Sequence, residues 1–191
     1  MIILVGKSCS GKDTVTKELI KMGYHKIVTC TTRPPRPGEV DGVDYHFLNK
    51  TTFLTRLNCG NFAEYRVYNT IGGAWYYGSL LEDYKKSHSV IILTPDALDK
   101  VINKIDENVT IIYLKVSNKV IKERMKNRDT DKKECKRRYK SDKKDFRGVE
   151  KKVNYIVHND NRMPFETALL CKELDEIKEA NNKRKEGENL L

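Results

Sequence analysis

Residues 1–14 read MIILVGKSCSGKDT, an apolar run followed by a loop with two glycines and then the start of a helical pattern. The apolar residues 2–5 predict a short buried strand, and the spacing of Val15 and Leu19 predicts one face of a helix that begins near Lys12. Glycines let the loop backbone curl so that successive N–H groups point inward, and the helix N-terminus adds partial positive charge. This order of strand, loop and helix predicts a phosphate-binding loop.

The predicted loop and the start of its helix supply a set of candidate nucleotide-binding residues. These are Gly6, Lys7, Ser8, Cys9, Ser10, Gly11, Lys12, Asp13 and Thr14. The side chain of Lys12 can reach the β- and γ-phosphates of a nucleotide, which makes it a candidate catalytic residue. Asp13 stands where such loops usually place a hydroxyl that meets Mg²⁺, so we expect the metal to be held mainly by phosphates and water, with Thr14 as the candidate protein ligand.

The rest of the chain alternates between apolar runs and helical patterns. The runs cover residues 26–30, 89–94, 109–116 and 153–158, and the helical patterns cover 79–87, 95–104, 118–127, 132–146 and 164–184. Most runs are continuous rather than alternating, which is typical of a parallel sheet covered on both faces. We therefore expect an α/β fold, with a small antiparallel patch around residues 61–68 and 74–77 that interrupts it.

Composition limits the class of protein. The chain has 191 residues, of which 38% are hydrophobic and 34% charged, and no apolar run approaches the roughly 20 residues of a membrane-spanning helix. The N-terminal residues lack the features of a secretory leader, and the five cysteines form no C-x-x-C pair. We expect one domain, cytoplasmic, with reduced thiols and no membrane partner, existing as a monomer or homodimer.

The net charge of +10 is concentrated rather than spread, because the whole excess falls within residues 115–152. A basic segment of this kind suits a surface that closes over a polyphosphate, and an ordinary solvated basic helix is the alternative. A nucleic-acid-binding protein would instead show spread charge with interleaved aromatic residues. We therefore expect no nucleic-acid partner.

Residues 29–47 read TCTTRPPRPGEVDGVDYHF and contain a candidate phosphate grip. Arg33 and Arg36 lie three residues apart among prolines, which makes a stiffened fork for a phosphate, and Tyr45 adds a hydroxyl donor. An exposed basic loop rich in proline is the alternative interpretation of this stretch.

The stretch 29–47, together with FAEY at 62–65, YYGS at 76–79 and the loop at 6–12, resembles the guanylate kinase family in order and spacing. The resemblance covers nearly the whole chain. It implies a P-loop kinase core of about residues 1–30, 80–127 and 148–191, with a parallel sheet flanked by helices. It also implies a small NMP-binding insertion of about residues 31–79 and a lid of about residues 128–147, with direct in-line transfer from ATP to GMP and dGMP and Mg²⁺ as cofactor.

The resemblance assigns the acceptor residues. It implies that Arg33, Arg36, Tyr45 and Tyr77 hold the acceptor phosphate, and that Thr29, Glu64, Ser79 and Asp96 bind the rest of GMP. Guanine presents N1–H and an amino group as adjacent donors, which a carboxylate such as Glu64 can accept, and the hydroxyls of Thr29 and Ser79 suit O6. Adenine lacks this donor pair and would leave a buried carboxylate unpaired. The family's Asp-x-Asp is Thr94-Pro95-Asp96 here, so the first of its two acids is absent.

The resemblance also assigns residues of the basic segment. It implies that Arg124, Arg128 and Arg138 reach ATP and the transferring phosphoryl group, and that Asn159 lies at the adenine. The expected catalytic residues are therefore Lys12, Arg33, Arg128 and Arg138, which position and neutralise charge rather than form covalent bonds.

Two alternative functions remain open from the sequence. Guanylate-kinase-like binding modules lack activity and bind phosphorylated peptides, but they tend to have damaged phosphate-binding loops, and this loop is intact. A kinase for a different or broader set of nucleoside monophosphates is the other alternative, and it is favoured by Asp13 and Thr94.

Overall fold

The structure is a computed structural model that describes residues 1–70, 73–105, 108–127 and 132–188. The described residues divide into two compact units, the first within 1–26, 88–96 and 107–191 and the second within 27–87 and 97–106. No helix within the described ranges is both long enough and apolar enough to span a lipid bilayer.

Strands and helices alternate through most of the described chain. The strands are β1 (Ile2–Val5), β2 (His25–Lys26), β3 (Cys30–Thr31), β4 (His46–Phe47), β5 (Phe62–Thr70), β6 (Gly73–Leu80), β7 (Ser89–Leu93), β8 (Thr110–Lys115) and β9 (Tyr155–His158). The α-helices are α1 (Lys12–Lys21), α2 (Lys50–Asn58), α3 (Pro95–Val101), α4 (Asn118–Lys126), α5 (Lys132–Asp145) and α6 (Pro164–Glu188). Short 3₁₀ helices cover Leu81–Lys85 and Val149–Lys152.

The first unit is built on a parallel sheet with the strand order β2-β7-β1-β8-β9. All four residues of the central strand β1 are buried, as expected for a strand covered on both faces. Leu4 packs with Leu19 of α1 and with Ala168 and Cys171 of α6 in one apolar cluster. The predicted parallel sheet flanked by helices is confirmed, and it places the loop after β1 at the carboxyl edge of the sheet, where α/β proteins bind ligands.

The second unit contains a four-stranded sheet with the order β4-β3-β6-β5. The long antiparallel hairpin of β5 and β6 covers the patch that the sequence predicted. Its core contains an aromatic pair, because Phe53 of α2 is fully buried and stacks on Phe62 with ring centroids 4.4 Å apart. The sequence analysis missed α2, although Asn49 is a clear start signal: its side chain accepts a hydrogen bond of 2.7 Å from the amide of Thr52.

Two predicted elements were wrong in their extent. Residues 26–30 do not form one strand, because His25–Lys26 pairs in the parallel sheet whereas Cys30–Thr31 pairs with β4 and β6. The helical pattern at 79–87 is a strand end followed by the 3₁₀ helix Leu81–Lys85. Ladder pairing with β5 holds Ser79 and Leu80 extended, so tertiary context overrides the local periodicity.

Strand β5 lies at the edge of its sheet, where backbone groups lack a neighbouring strand. Two lysines of the same unit cover this edge. Lys100 Nζ donates to the carbonyl of Tyr65 at 3.2 Å, and Lys104 Nζ donates to the carbonyl of Ala63 at 2.8 Å.

Candidate active site

The loop between β1 and α1 curls because two of its residues adopt left-handed backbone conformations. Cys9 has φ 62° and Gly11 has φ 94°. A Cβ atom at Gly11 would lie only 2.8 Å from Nδ2 of Asn159, so both the backbone angle and the space require glycine. A Cβ atom at Gly6 would collide with Oγ of Ser10. The two glycines found in the sequence are therefore both needed to close the loop.

Lys12 begins α1 and folds its side chain back over the loop. Its Nζ donates to the carbonyl of Lys7 at 2.8 Å and to Oγ of Ser10 at 3.5 Å. The ammonium group is thereby held above the backbone donors of the loop, where a bound phosphate would receive both its charge and their hydrogen bonds.

An acidic side chain already uses one donor of the loop. The amide N–H of Ser8 donates to Oδ2 of Asp142, which lies on α5, at 2.7 Å. The contact shows that this amide points to a position that an anionic oxygen can occupy. No pattern in the sequence marked Asp142, because the contact joins residues that are 134 positions apart.

Beside the loop lies a cavity of about 570 Å³. It is lined by Cys9, Gly11, Lys12, Asp13, Thr14, Val15, Arg124, Asn127, Asn159, Arg162 and Pro164. The structure thus places most of the predicted ATP-binding residues around one cavity, with Arg124 and Asn159 brought to the loop from elements far along the chain.

Arg124 connects three backbone carbonyls around this cavity. Its guanidinium donates to the carbonyl of Cys9 at 3.2 Å and to those of Asn159 and Asp160 at 2.9 Å each. Hydrogen bonds from the side chain of Ser117, and then from its backbone amide, hold the pKa of the Asp160 carboxyl below its ordinary value. Arg124 therefore holds the phosphate loop against the turn that follows β9.

Asn159 is buried and its side chain is engaged within the protein. Nδ2 donates to the carbonyl of Ser10 at 2.9 Å, and Oδ1 accepts from the hydroxyl of Thr167 at 2.7 Å. These bonds fix the turn beneath the loop. Contact of Asn159 with adenine stays a prediction.

The oxygen atoms near the loop suit a hard cation with few protein ligands. Asp13 and Thr14 are exposed and line the cavity, and Mg²⁺ prefers oxygen ligands while keeping several waters. Within the described ranges, no group of three or more His, Cys, Asp or Glu side chains could hold a metal by itself. The oxygen atoms of Asp13 and Thr14 would fit a magnesium ion that keeps most of its water ligands.

In the second unit, Arg33 is the centre of the candidate phosphate grip. It is only 4% exposed, and its Nε donates to the hydroxyl of Tyr77 at 3.2 Å. Its terminal nitrogens donate to the Pro34 carbonyl at 2.7 Å and to the Glu39 carboxylate at 2.8 Å. The hydrogen bond from Arg33 is the main reason that the pKa of Glu39 lies below its ordinary value.

Tyr45 lies against this arginine and completes the predicted cluster. The Arg33 guanidinium is 5.5 Å from the centroid of the Tyr45 ring, which also meets the Tyr77 ring edge-on at 6.0 Å. Burial raises the pKa of Tyr45, so its hydroxyl stays protonated and able to donate. Arg36 differs because it is exposed, and its backbone amide donates to Glu39 at 2.7 Å.

The predicted guanine readers lie where β5 and β6 pair. Glu64 and Ser79 face each other in the ladder, and the Ser79 hydroxyl donates to Oε1 of Glu64 at 3.1 Å. The other side of the Ser79 oxygen contacts the hydroxyl of Tyr84 at 2.8 Å. Because the single hydroxyl proton of Ser79 goes to Glu64, the Tyr84 hydroxyl is the donor to the Ser79 oxygen. Burial raises the pKa of Tyr84.

Two residues of this cluster were absent from the sequence prediction. Tyr84 lies on the 3₁₀ helix Leu81–Lys85, which the sequence had suggested was part of a longer helix. Arg66 donates from Nε to Oε2 of Glu64 at 3.2 Å. The alternation of side chains along a strand would have placed Arg66 on the same face as Glu64, two residues earlier.

The remaining predicted residues are placed more loosely or elsewhere. Thr29 is half-buried, and its carbonyl accepts from the amide of His46 at 2.9 Å. Asp96 is exposed in the first turn of α3 and belongs to the first unit, whereas the other predicted GMP-binding residues belong to the second. Arg138 is exposed on α5, and Arg128 lies outside the described residues.

Comparison with known proteins gives one consistent result. The guanylate kinase family model matches residues 1–180. The guanylate kinase of Clostridium perfringens (strain SM101 / Type A) is 35% identical over 98% of this chain and 91% of that protein. That of Legionella pneumophila (strain Lens) is 31% identical over 97% and 92%, respectively.

A solved structure agrees at the level of the fold. The crystal structure of guanylate kinase from Anaplasma phagocytophilum matches with a TM-score of 0.64 at 22% identity, covering 95% of this chain and 85% of that one. With the family model matching nearly the whole sequence, the chain belongs to the guanylate kinase family.

Proposed function

We propose that this chain transfers the γ-phosphoryl group of ATP directly to GMP, and to dGMP, giving the nucleoside diphosphate. The observation that carries the proposal is a buried carboxylate, Glu64 of β5, in the same compact unit as the buried guanidinium of Arg33, which follows β3. A carboxylate that can accept hydrogen bonds from a base and a guanidinium that can bind a phosphate, both in one unit, suit a nucleoside monophosphate whose base carries hydrogen-bond donors.

The donor nucleotide binds at the loop between β1 and α1. Backbone amides such as that of Ser8 bind its phosphate oxygens, and the helix N-terminus adds positive charge. Lys12 exchanges its contact with the Lys7 carbonyl for the β- and γ-phosphates and neutralises charge that develops during transfer. The base and sugar of the donor occupy the cavity beside Arg124.

A magnesium ion bound with ATP would neutralise part of the phosphate charge during transfer. Thr14 and Asp13 lie on the cavity wall and would orient the waters of its coordination shell. Arg138 of α5, together with Arg128, is the proposed source of further positive charge for the transferring group.

The acceptor phosphate binds to Arg33, Arg36, Tyr45 and Tyr77. Arg33 is already oriented by Tyr77 and Glu39, so little side-chain freedom is lost when a phosphate binds. Since phosphoryl transfer depends on positioning and electrostatics, this fixed geometry is the contribution of the second unit to the rate.

Glu64 selects the base. Guanine donates from N1–H and from its amino group to the carboxylate, whereas adenine presents an acceptor at N1 and leaves a buried charge unpaired. Thr29 and Asp96 are the further proposed contacts to the acceptor nucleoside.

The test is an ADP-release assay with ATP, Mg²⁺ and each of GMP, dGMP, AMP, CMP, UMP and dTMP. We expect turnover with the guanine nucleotides alone. Lys12→Ala should lower kcat by about 10²- to 10³-fold, because one preorganised cation is lost from the transferring phosphate. Lys17→Ala, at an exposed position on the same helix, is the control and should leave turnover unchanged.

Glu64→Gln tests the base reader in the same assay. The amide replaces one acceptor oxygen with a donor, so kcat/KM for GMP should fall by about 10- to 100-fold with a smaller change for poor acceptors. If the folded wild-type protein released no ADP with any of these acceptors, the result would contradict the proposed function and favour a binding module without activity.

A further inference from the structure

Arg66 occupies a central position on the face of the β5–β6 hairpin that carries the acceptor residues. It follows Glu64 by two residues, so both side chains leave the same face of β5. In the ladder it is paired with Tyr77, whereas Glu64 is paired with Ser79. Arg66 therefore lies between the base end of the candidate acceptor site and its phosphate end.

The contact between Arg66 and Glu64 is an ion pair at the boundary of the interior. The Glu64 side chain is 0% exposed and the Arg66 side chain 19%, with 3.2 Å between Nε and Oε2. A fully buried carboxylate is costly unless an opposite charge and hydrogen bonds compensate for the water it has lost. Arg66 supplies that charge, and Ser79 supplies a hydrogen bond to the other oxygen.

Counting acceptor positions shows what this arrangement leaves for a ligand. An ionised carboxylate offers about four lone-pair positions, two on each oxygen. Ser79 takes one position on Oε1 and Arg66 takes one on Oε2. Each oxygen of Glu64 keeps one lone-pair position that can accept a further hydrogen bond. Two such positions side by side match a ligand edge with two adjacent donors, as in the bidentate binding of guanidinium groups by carboxylates.

Three purine monophosphates present different edges to such a carboxylate. Guanine offers N1–H and the 2-amino group, hypoxanthine offers N1–H alone, and adenine offers an acceptor at N1. A carboxylate fixed at both oxygens binds guanine more tightly than hypoxanthine, because hypoxanthine would leave one acceptor position of the carboxylate unpaired. A carboxylate that could rotate would lose much of that discrimination.

We infer that Arg66 is a specificity-determining residue of the acceptor site, one that positions Glu64 so that the 2-amino group of the purine is required. The inference rests on the proposed function, since it concerns how the acceptor base is chosen. Arg66 acts through Glu64 and is a positioning residue rather than a catalytic one.

The experiment compares wild type, Arg66→Met and Arg66→Lys with GMP, IMP and AMP as acceptors, measuring kcat and KM and, separately, binding of GMP and IMP by calorimetry. For Arg66→Met we expect KM for GMP to rise about tenfold or more and the GMP/IMP ratio of kcat/KM to fall about tenfold, with kcat at saturating GMP little changed. Arg66→Lys keeps the charge but not the planar geometry and should give intermediate ratios.

Lys86→Met is the matched control. It removes the partner of another shielded carboxylate in the same unit, Asp83, whose side chain is 8% exposed and lies 2.6 Å from Lys86 Nζ. We expect its GMP/IMP ratio to equal that of wild type. The melting temperature of each variant shows whether it is folded. If Arg66→Met is not folded, the comparison of wild type with Arg66→Lys decides the test.

The outcomes separate the two proposals. An unchanged GMP/IMP ratio in a folded Arg66 variant overturns the positioning role, as does a loss of kcat that is equal for all acceptors. A wild-type protein that transfers phosphate to no purine acceptor overturns the proposed function, and calorimetry then still decides whether Arg66 governs GMP over IMP binding.

Discussion

In the first unit, the candidate phosphate site is made of backbone amides from one loop, whereas in the second unit the candidate acceptor site is made of side chains from separate strands. The loop after β1 takes its curl from the backbone of Cys9 and Gly11, and distant residues then brace it. The acceptor site needs the register of β5 with β6 before Glu64 meets Ser79. A backbone site therefore depends on glycine and local conformation, and a side-chain site depends on long-range pairing.

Replacing Gly11 gives the largest expected effect on this comparison. Gly11→Ala should destabilise the protein by about 1 to 2 kcal/mol through the left-handed backbone alone. The new Cβ would also press on Asn159 Nδ2 at 2.8 Å, which displaces the loop, so we expect kcat/KM for ATP to fall by about 100-fold.

Gly23→Ala is the matched control for this change. Gly23 follows the same helix with φ 95°, and a Cβ atom at this position would meet no other atom within 4 Å. Urea unfolding should show a similar loss of stability, while steady-state kinetics should stay near wild type. Equal kinetic losses in both variants would show that backbone strain alone, and not the close approach of Asn159, matters at the loop.

Arg33 and Arg36 give the next largest effect and test the side-chain site. Arg33→Met removes a buried guanidinium with contacts to Tyr77, Pro34 and Glu39, so KM for GMP should rise about 100-fold and stability should fall as well. Arg36→Met, at an exposed position, should raise KM without changing the urea midpoint. An Arg33→Met variant with wild-type stability and wild-type KM for GMP would contradict the proposed role of Arg33 in binding the acceptor phosphate.

Tyr84→Phe should have a smaller effect, because it deletes one hydroxyl from the chain of hydrogen bonds that ends on Glu64. We expect a loss of stability of about 1 kcal/mol and a rise of a few fold in KM for GMP. Tyr24→Phe deletes a buried hydroxyl that donates to Asp175 at 2.8 Å in the first unit, and it should cost similar stability without changing KM for GMP. If the two variants had the same KM for GMP, Tyr84 would have no part in binding the base.

The smallest expected effect is a pH dependence at Glu39. Its pKa is lowered in the folded protein, mainly by the hydrogen bond from Arg33 and then by the amide of Arg36. The stabilisation from this carboxylate is therefore fully present above the ordinary carboxyl pKa and is lost as the pH falls below that value through the lowered pKa. Melting curves from pH 6 downward should fall less steeply for Glu39→Gln than for wild type; parallel curves would contradict the coupling.

The sequence predicted the parallel sheet and its helices well, because continuous apolar runs and periodic helices are local signals. It placed Gly6, Gly11 and Lys12 in a loop whose glycines the structure confirms as necessary. The extent of β2 and β3 could not be predicted, since residues 26–30 are uniformly suited to a strand and only tertiary pairing divides them.

The residues themselves indicated Arg33, Arg36 and Tyr45 as a phosphate site, and the family resemblance supplied the other predicted acceptor residues. Arg66 was missed although it follows Glu64 by two residues on the same strand, because no motif marks it, and Tyr84 was missed because it meets Ser79 through a short 3₁₀ helix. Asp142 was missed because its contact with Ser8 joins distant parts of the chain, which no local pattern encodes.

The lysines that cover the edge of β5 have a consequence for association between chains. An open strand edge is a template on which a strand of another molecule can add, which leads to aggregation. Lys100 and Lys104 use the outward carbonyls of Tyr65 and Ala63 and place positive charge along that edge. A strand of a second copy would meet two carbonyls that already accept hydrogen bonds, together with like charge, so this edge disfavours sheet extension between chains.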